Sequence, residues 1–182
     1  MKRLAILALA SMLCAAAPAL KKPPAPLDQL FAQLAKAQTP EDAKPIEQSI
    51  VAIFVQSGSP TADLLMARAT AAHAAGDDNT AHKLFDAITA VAPDFAEGWH
   101  AMAVLDADSG DDEAALLELQ KTVTLNPRQF VAMNELAQML EEYGNKPAAL
   151  ALYNKALALD PQLEGVAKHI KALTRDVQGQ GI

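Results

Sequence analysis

The stretch YGNKPAALALYNKALALDP, residues 143–161, opens on a glycine turn, runs through one apolar helix and stops at a proline. Its punctuation returns when the chain is read back by 34 residues. Gly144 becomes Gly110 and then Gly76, Ala149 becomes Ala115 and Ala81, and Pro161 becomes Pro127 and Pro93. Only 8 Gly and 11 Pro occur in 182 residues, so triplets that share one spacing mark an internal repeat.

Each repeat divides into two helices. In the middle unit, AEGWHAMAVLDAD forms the first and is closed by Ser109 and Gly110, while DEAALLELQKTVTL forms the second and is closed by Asn126 and Pro127. Glycine takes the left-handed conformation that ends a helix, and proline cannot continue one. Asp111, Asp112 and Glu113 stand where the second helix begins, the end its dipole makes favourable for acids. Trp99, Met102 and Ala103 share a face of the first helix, and Ala115, Leu119 and Val123 share a face of the second. The alanine lets two backbones approach, and the bulkier residue one turn later fills the space beside it, as Phe85 follows Ala81 and Tyr153 follows Ala149. No run of alternating β-branched residues argues for a strand, so the expected class is all-α.

The order of large apolar residue, small residue, glycine turn, alanine, aromatic and closing proline resembles the tetratricopeptide repeat, a 34-residue helix-turn-helix. Three units carry the resemblance, residues 62–95, 96–129 and 130–163. In the third, Met133, Leu136, Ala137, Leu140, Gly144, Ala149, Tyr153, Ala156 and Pro161 stand where the family has them. The second departs at Asp106, where a large apolar side chain is usual, and at Thr122, where alanine is usual. In the first, Arg68 replaces a leucine and Ile88 an alanine. The resemblance implies an α-solenoid of stacked antiparallel helix pairs. Residues 27–61 fit the same ruler with Asp42 at the glycine place and Glu47 at the alanine place. They read as a degenerate helical hairpin, with helices from Pro26 to Lys36 and from Pro45 to Gln56, covering the open end of the stack as an N-terminal cap. Residues 164–175, with Val166, Ile170 and Leu173 at helical spacing after Leu163, are expected as a C-terminal capping helix, and 176–182 as a flexible tail.

Residues 1–19 read as an export signal: Lys2 and Arg3 start it, LAILALASML is its apolar run, and Ala17-Pro18-Ala19 supplies the small-residue cleavage site. That run is too short for a membrane span, which needs about 20 residues. Leu13 precedes the sole cysteine, Cys14, where a lipid-modified signal has a small residue. Residues 20–26 form a proline-rich linker. Localisation is accordingly expected to be exported, periplasmic or otherwise secreted, with a mature chain that holds no cysteine to oxidise. Loss of Lys2 and Arg3 with the signal takes the formal net charge from −7 to −9. An acidic chain does not suit nucleic acid, whose phosphates attract Lys and Arg.

Catalytic and metal-binding patterns are missing from the sequence. His73, His82, His100 and His169 lack the i, i+4 spacing or cysteine partner of a zinc site, and read as surface or groove residues. There is no phosphate-binding glycine loop and no Gly-x-Ser-x-Gly elbow. DADSGDDE, residues 106–113, has the acids of a calcium loop, but its glycine comes one place early and Leu117 stands where the closing carboxylate belongs. No cofactor is expected.

What remains is shape. In the family, the first helix of each unit lines a concave groove that binds segments of partner proteins. The resemblance places in it Asp63, Met66, Thr70 and His73; Glu97, His100, Val104 and Asp108; and Asn134, Gln138, Glu141 and Glu142. Lys and Arg are absent from this set. A groove that grips a partner's terminal carboxylate needs such cations, so the expected partner is a neutral or basic protein segment. The expected function is a non-catalytic interaction scaffold or assembly adaptor of the bacterial cell envelope. The alternatives are a self-associating structural oligomer and an enzyme or metal-dependent binder whose site the sequence does not advertise.

Overall fold

The structure is a computed structural model that describes residues 26–179. The expected signal (1–19), the linker as far as residue 25 and the end of the expected tail (180–182) lie outside those residues. Among the described residues every regular element is a helix: α1 (Pro26–Leu34), α2 (Pro40–Phe54), α3 (Pro60–Ala74), α4 (Asp78–Val91), α5 (Ala96–Ser109), α6 (Asp112–Leu125), α7 (Phe130–Glu142), α8 (Lys146–Leu159) and α9 (Val166–Gly179). Helices α3 to α8 form three antiparallel pairs, stacked so that α4 meets α5, α6 meets α7 and α8 meets α9.

The repeat extends to individual hydrogen bonds. Gly76, Gly110 and Gly144 have φ of 77°, 83° and 80°, a left-handed conformation that glycine adopts without steric cost. After each of them the next residue's N–H returns to a carbonyl of the finished helix: Asp77 to Ala72 at 2.9 Å, Asp111 to Asp106 at 2.8 Å, Asn145 to Leu140 at 2.7 Å. The same three residues then cap the following helix, their side chains accepting from the N–H groups of Thr80, Ala114 and Ala148. Ala81, Ala115 and Ala149 are each 0% exposed, the close helix contact their spacing implies.

The departures from the family pattern are absorbed by neighbours. Ile88 takes an alanine's place and is fully buried because Gly98 on α5 makes room: a Cβ there would lie 2.8 Å from Ile88 Cγ2. Thr122 is likewise buried, and its hydroxyl donates to the Glu118 carbonyl at 2.9 Å. Asp106 is buried beside the Glu118 carboxyl. Arg68 lies exposed on α3.

The N-terminal hairpin corrects the sequence reading in two respects. Helix α2 starts at Pro40 and not at Pro45, because Thr39 caps it, accepting from the Asp42 N–H at 3.2 Å, and Pro40 suits the first helical turn. Moreover, α1 and α2 do not cover the open end of the stack. Phe31, Leu34, Ala43 and Ile50 bury themselves with Phe130, Met133 and Ala156 of the third repeat, while the apolar cluster around α3 and α4 holds no residue of α1 or α2 among those described. Phe31 meets Phe130 edge-on at 6.3 Å, and Arg128 Nη1 donates to Asp28 Oδ1 at 2.6 Å. On α3, where a preceding helix would pack, Leu64 is left 60% exposed. At the other end α9 packs on α8 through Val166, Ile170 and Leu173 and continues to Gly179, past the expected end at 175.

Candidate functional site

The first helices α3, α5 and α7, with α9 beyond them, are linked side by side by polar pairs. His73 on α3 approaches Asp108 on α5 at 3.5 Å and Asp78 at 2.8 Å. His100 on α5 bridges Glu97 at 3.2 Å and Glu135 on α7 at 2.7 Å. Glu141 on α7 accepts from the Tyr153 hydroxyl at 2.9 Å and pairs with His169 on α9 at 2.8 Å. Each pair sits on the same wall, so the rungs between successive repeats are electrostatic as well as apolar.

The rung at His100 is buried. Loss of water pulls the imidazole pKa down, but its hydrogen bonds to Glu135 and Glu97 and their negative charges outweigh it and take the value up to about 10. His100 is therefore an imidazolium at neutral pH and donates from both ring nitrogens. Glu97 has a second donor in Gln129 Nε2 at 2.8 Å. This network joins the second repeat to the third and spends both Glu97 and His100 on structure. His73 is raised too, chiefly by its hydrogen bond to Asp78.

Between α5 and α7 the wall opens into a cleft. Ala103, Val104, Ala107 and Met139 make its apolar floor with Leu119 of α6, and Asp108, Glu135, Gln138 and Glu142 make its polar sides. A second cleft lies between Gln138, Glu141 and Glu142 on α7 and His169 on α9. Neither lining includes Lys or Arg. The arrangement offers apolar contact with a carboxylate edge, which suits the stem and cationic head of a basic side chain.

The expected groove residues fall into three groups. Val104, Asp108, Gln138 and Glu142 come together in the main cleft, and Glu141 joins Gln138 and Glu142 in the second. Glu97, His100 and Asn134 are partly or fully buried between α5 and α7, so His100 is not the surface or groove residue its spacing implied. The residues of α3 do not extend either cleft: Met66 packs against the core, Thr70 is exposed, and Asp63 accepts from the Ser57 N–H at 3.0 Å and fastens the loop before α3. Glu135 and Met139 line the main cleft without having been expected there, and His169, read from the sequence only as a surface or groove histidine, lines the second. Their signal was available in the repeat itself, since His169 stands one period after Glu135, and Glu135 directly follows Asn134, the counterpart of His100. Among the described residues no group of three or more His, Cys, Asp or Glu side chains is placed to hold a metal ion, and no helix is long and apolar enough to cross a membrane.

No protein-family model matches the chain. A TPR repeat-containing protein of Rhizobium etli is 29% identical over 153 residues, which are 84% of this chain and 75% of that protein. Among solved structures, the first TPR of Spaghetti bound to the HSP90 peptide SRMEEVD is similar, with a TM-score of 0.60 at 14% identity, over 66% of this chain and 95% of that one. The Yersinia enterocolitica type III secretion chaperone SycD, in complex with a peptide of the translocator YopD, has a TM-score of 0.58 at 16% identity, over 65% of this chain and 95% of that one.

Proposed function

We propose that the protein, whose three helix pairs have the fold of tetratricopeptide-repeat domains, is a non-catalytic scaffold that holds a neutral or basic segment of another protein in the cleft between α5 and α7. One observation carries this reading: the cleft has an apolar floor of Val104, Ala107 and Met139 and a rim of Asp108, Glu135 and Glu142, with no cation in its lining. Two structurally similar domains were solved with peptides bound, which supports a peptide-sized occupant. The acidic peptide SRMEEVD would meet like charge here, so the partner differs in sign from that one.

The setting we propose is the bacterial envelope or secreted space, supported by the basic start, apolar run and Ala17-Pro18-Ala19 site of residues 1–19 and by a bacterial relative. A second reading, self-association, is favoured by the uncovered α3, where Leu64 is 60% exposed. A sedimentation mass that stays monomeric with rising concentration would exclude it. To test the leading reading, a photo-crosslinking residue is placed at Gln138 in the cleft and, separately, at exposed Leu117 on α6. The scaffold reading expects a partner protein to be trapped from Gln138 and not from Leu117; trapping from Leu117 alone would refute it.

A further inference from the structure

The N-terminal hairpin reaches its place through a long detour in sequence. Loop residues 55–59, with Gly58 at φ 75°, link it to the first repeat, yet it docks on the third. The seam holds three kinds of contact. The apolar part is Phe31, Leu34 and Ile50 against Phe130 and Ala156. The polar fasteners are Arg128 to Asp28, and Gln162 Nε2 donating to the Ala37 carbonyl at 3.2 Å.

The third contact is between two acids. Asp160, at the end of α8, is fully buried; its Oδ1 accepts from the Gln162 N–H at 3.0 Å, and its Oδ2 is buried with no hydrogen-bond partner. Across the seam the Glu47 carboxyl of α2 lies beside that of Asp160, close enough for the two to share a hydrogen bond when one is protonated. The charged groups that face Glu47 are Lys44 on its own helix, Asp160 at the end of α8 and Glu164 in the following turn. Two carboxyl groups form such a bond only while one of them keeps a proton.

We propose that the hairpin is a proton-dependent latch: with Glu47 protonated it donates to Asp160 and holds α1 and α2 on the third repeat, and loss of that proton sets two carboxylates against each other and shifts the hairpin toward release. Release turns about the 55–59 loop and uncovers Phe130, Val131 and Leu163 beside the first turn of α7, an apolar surface that the docked hairpin closes. Burial first, then the charge of Asp160, raises Glu47 from 4.5 to about 7, and burial raises Asp160 as well. An acid that binds its proton more tightly when docked favours docking fully below its free value of 4.5 and loses that contribution as pH rises through about 7. Lys44 opposes the shift, and the Arg128–Asp28 pair and the apolar contacts also hold the seam, so the latch biases an equilibrium.

The test uses the full chain with Cys14→Ser, and nitroxide labels at Gln33→Cys on α1 and Asn154→Cys on α8, both exposed positions. Distance distributions are measured at about pH 4 and about pH 8.5, either side of the window. The latch predicts one docked distance at the lower pH and a separate longer population at the higher, larger by roughly tenfold for each pKa unit that separates the docked from the free acid. Glu47→Gln donates an amide hydrogen to Asp160 at any pH, and Asp160→Asn donates one to Glu47, so either variant should hold the docked distance at both values. Far-UV circular dichroism checks that each variant is folded, and either one suffices. A wild-type distribution that does not change with pH, or amide variants that open as the wild type does, would overturn the proposal.

Discussion

Replacing Gly98 with alanine puts a methyl carbon 2.8 Å from Ile88 Cγ2 and 3.2 Å from Phe95 Cδ1, inside the seam between the first and second repeats. Two effects then oppose each other. Alanine in a helix interior is favoured over glycine by about 1 kcal/mol, whereas forcing a methyl into a filled contact costs about 1–3 kcal/mol. Gly98→Ala should therefore come out near neutral to about 2 kcal/mol destabilising. Ile88→Ala alone opens a cavity and should cost about 2–5 kcal/mol. In the double variant the clash with Ile88 is gone, the 3.2 Å approach to Phe95 Cδ1 stays and the helix preference remains, so it should be up to about 1 kcal/mol more stable than Ile88→Ala alone. The two singles then sum to about 1–3 kcal/mol more than the double. Urea unfolding followed by circular dichroism and by the fluorescence of Trp99, the one tryptophan of the chain and a neighbour of Gly98 on α5, measures all four corners. Additivity within about 0.5 kcal/mol would refute size matching as the reason an isoleucine fits an alanine's place.

Further perturbations separate packing from surface and locate the pH dependence. Ala149→Leu should cost about 1–3 kcal/mol by prising α7 and α8 apart, while Glu142→Gln on the cleft rim should leave thermal melting nearly unchanged; the reverse ranking would show the faces to be wrongly assigned. Glu118, buried against Asp106, has its pKa raised by that burial and by the Asp106 charge from 4.5 to about 8. The folded state thus binds this proton more tightly than the unfolded chain, and its contribution, present in full below 4.5, is lost as pH rises through about 8. His100, raised from 6.5 to about 10, adds a loss over the higher window. Unfolding free energy should accordingly fall from mildly acid to alkaline pH, and Glu118→Gln should flatten the part below about pH 8. A wild-type profile that rises with pH over this range would contradict both assignments.

The parts of this fold that were legible in the sequence are those fixed by one residue's own geometry. Gly76, Gly110 and Gly144 mark turns because the left-handed backbone there excludes most side chains, and Ala81, Ala115 and Ala149 mark helix contacts because little else fits. The hairpin's docking site was not legible. Its fastening contacts join Asp28 to Arg128, 100 residues on, and Ala37 to Gln162, 125 residues on, and no local pattern specifies such partners. Pro45 read as a helix start because proline favours the first turn, but Thr39 and Pro40 already supply the cap and the start ahead of it. The cleft was legible where side chains project singly, as at Asp108, Gln138 and Glu142. It was missed at His100 and Glu97, whose burial depends on Glu135 from the next repeat and on Gln129 at the far end of their own.

Binding at the cleft between α5 and α7 is the claim on which the functional account turns, and affinity against ionic strength for the partner trapped at Gln138 tests it most directly. Wild type is compared with Asp108→Asn combined with Glu142→Gln, two rim acids that leave the buried His100 network untouched. The account predicts that wild-type affinity weakens as salt rises and that the double variant binds more weakly with a shallower salt dependence. Equal affinities with equal salt dependence would contradict it.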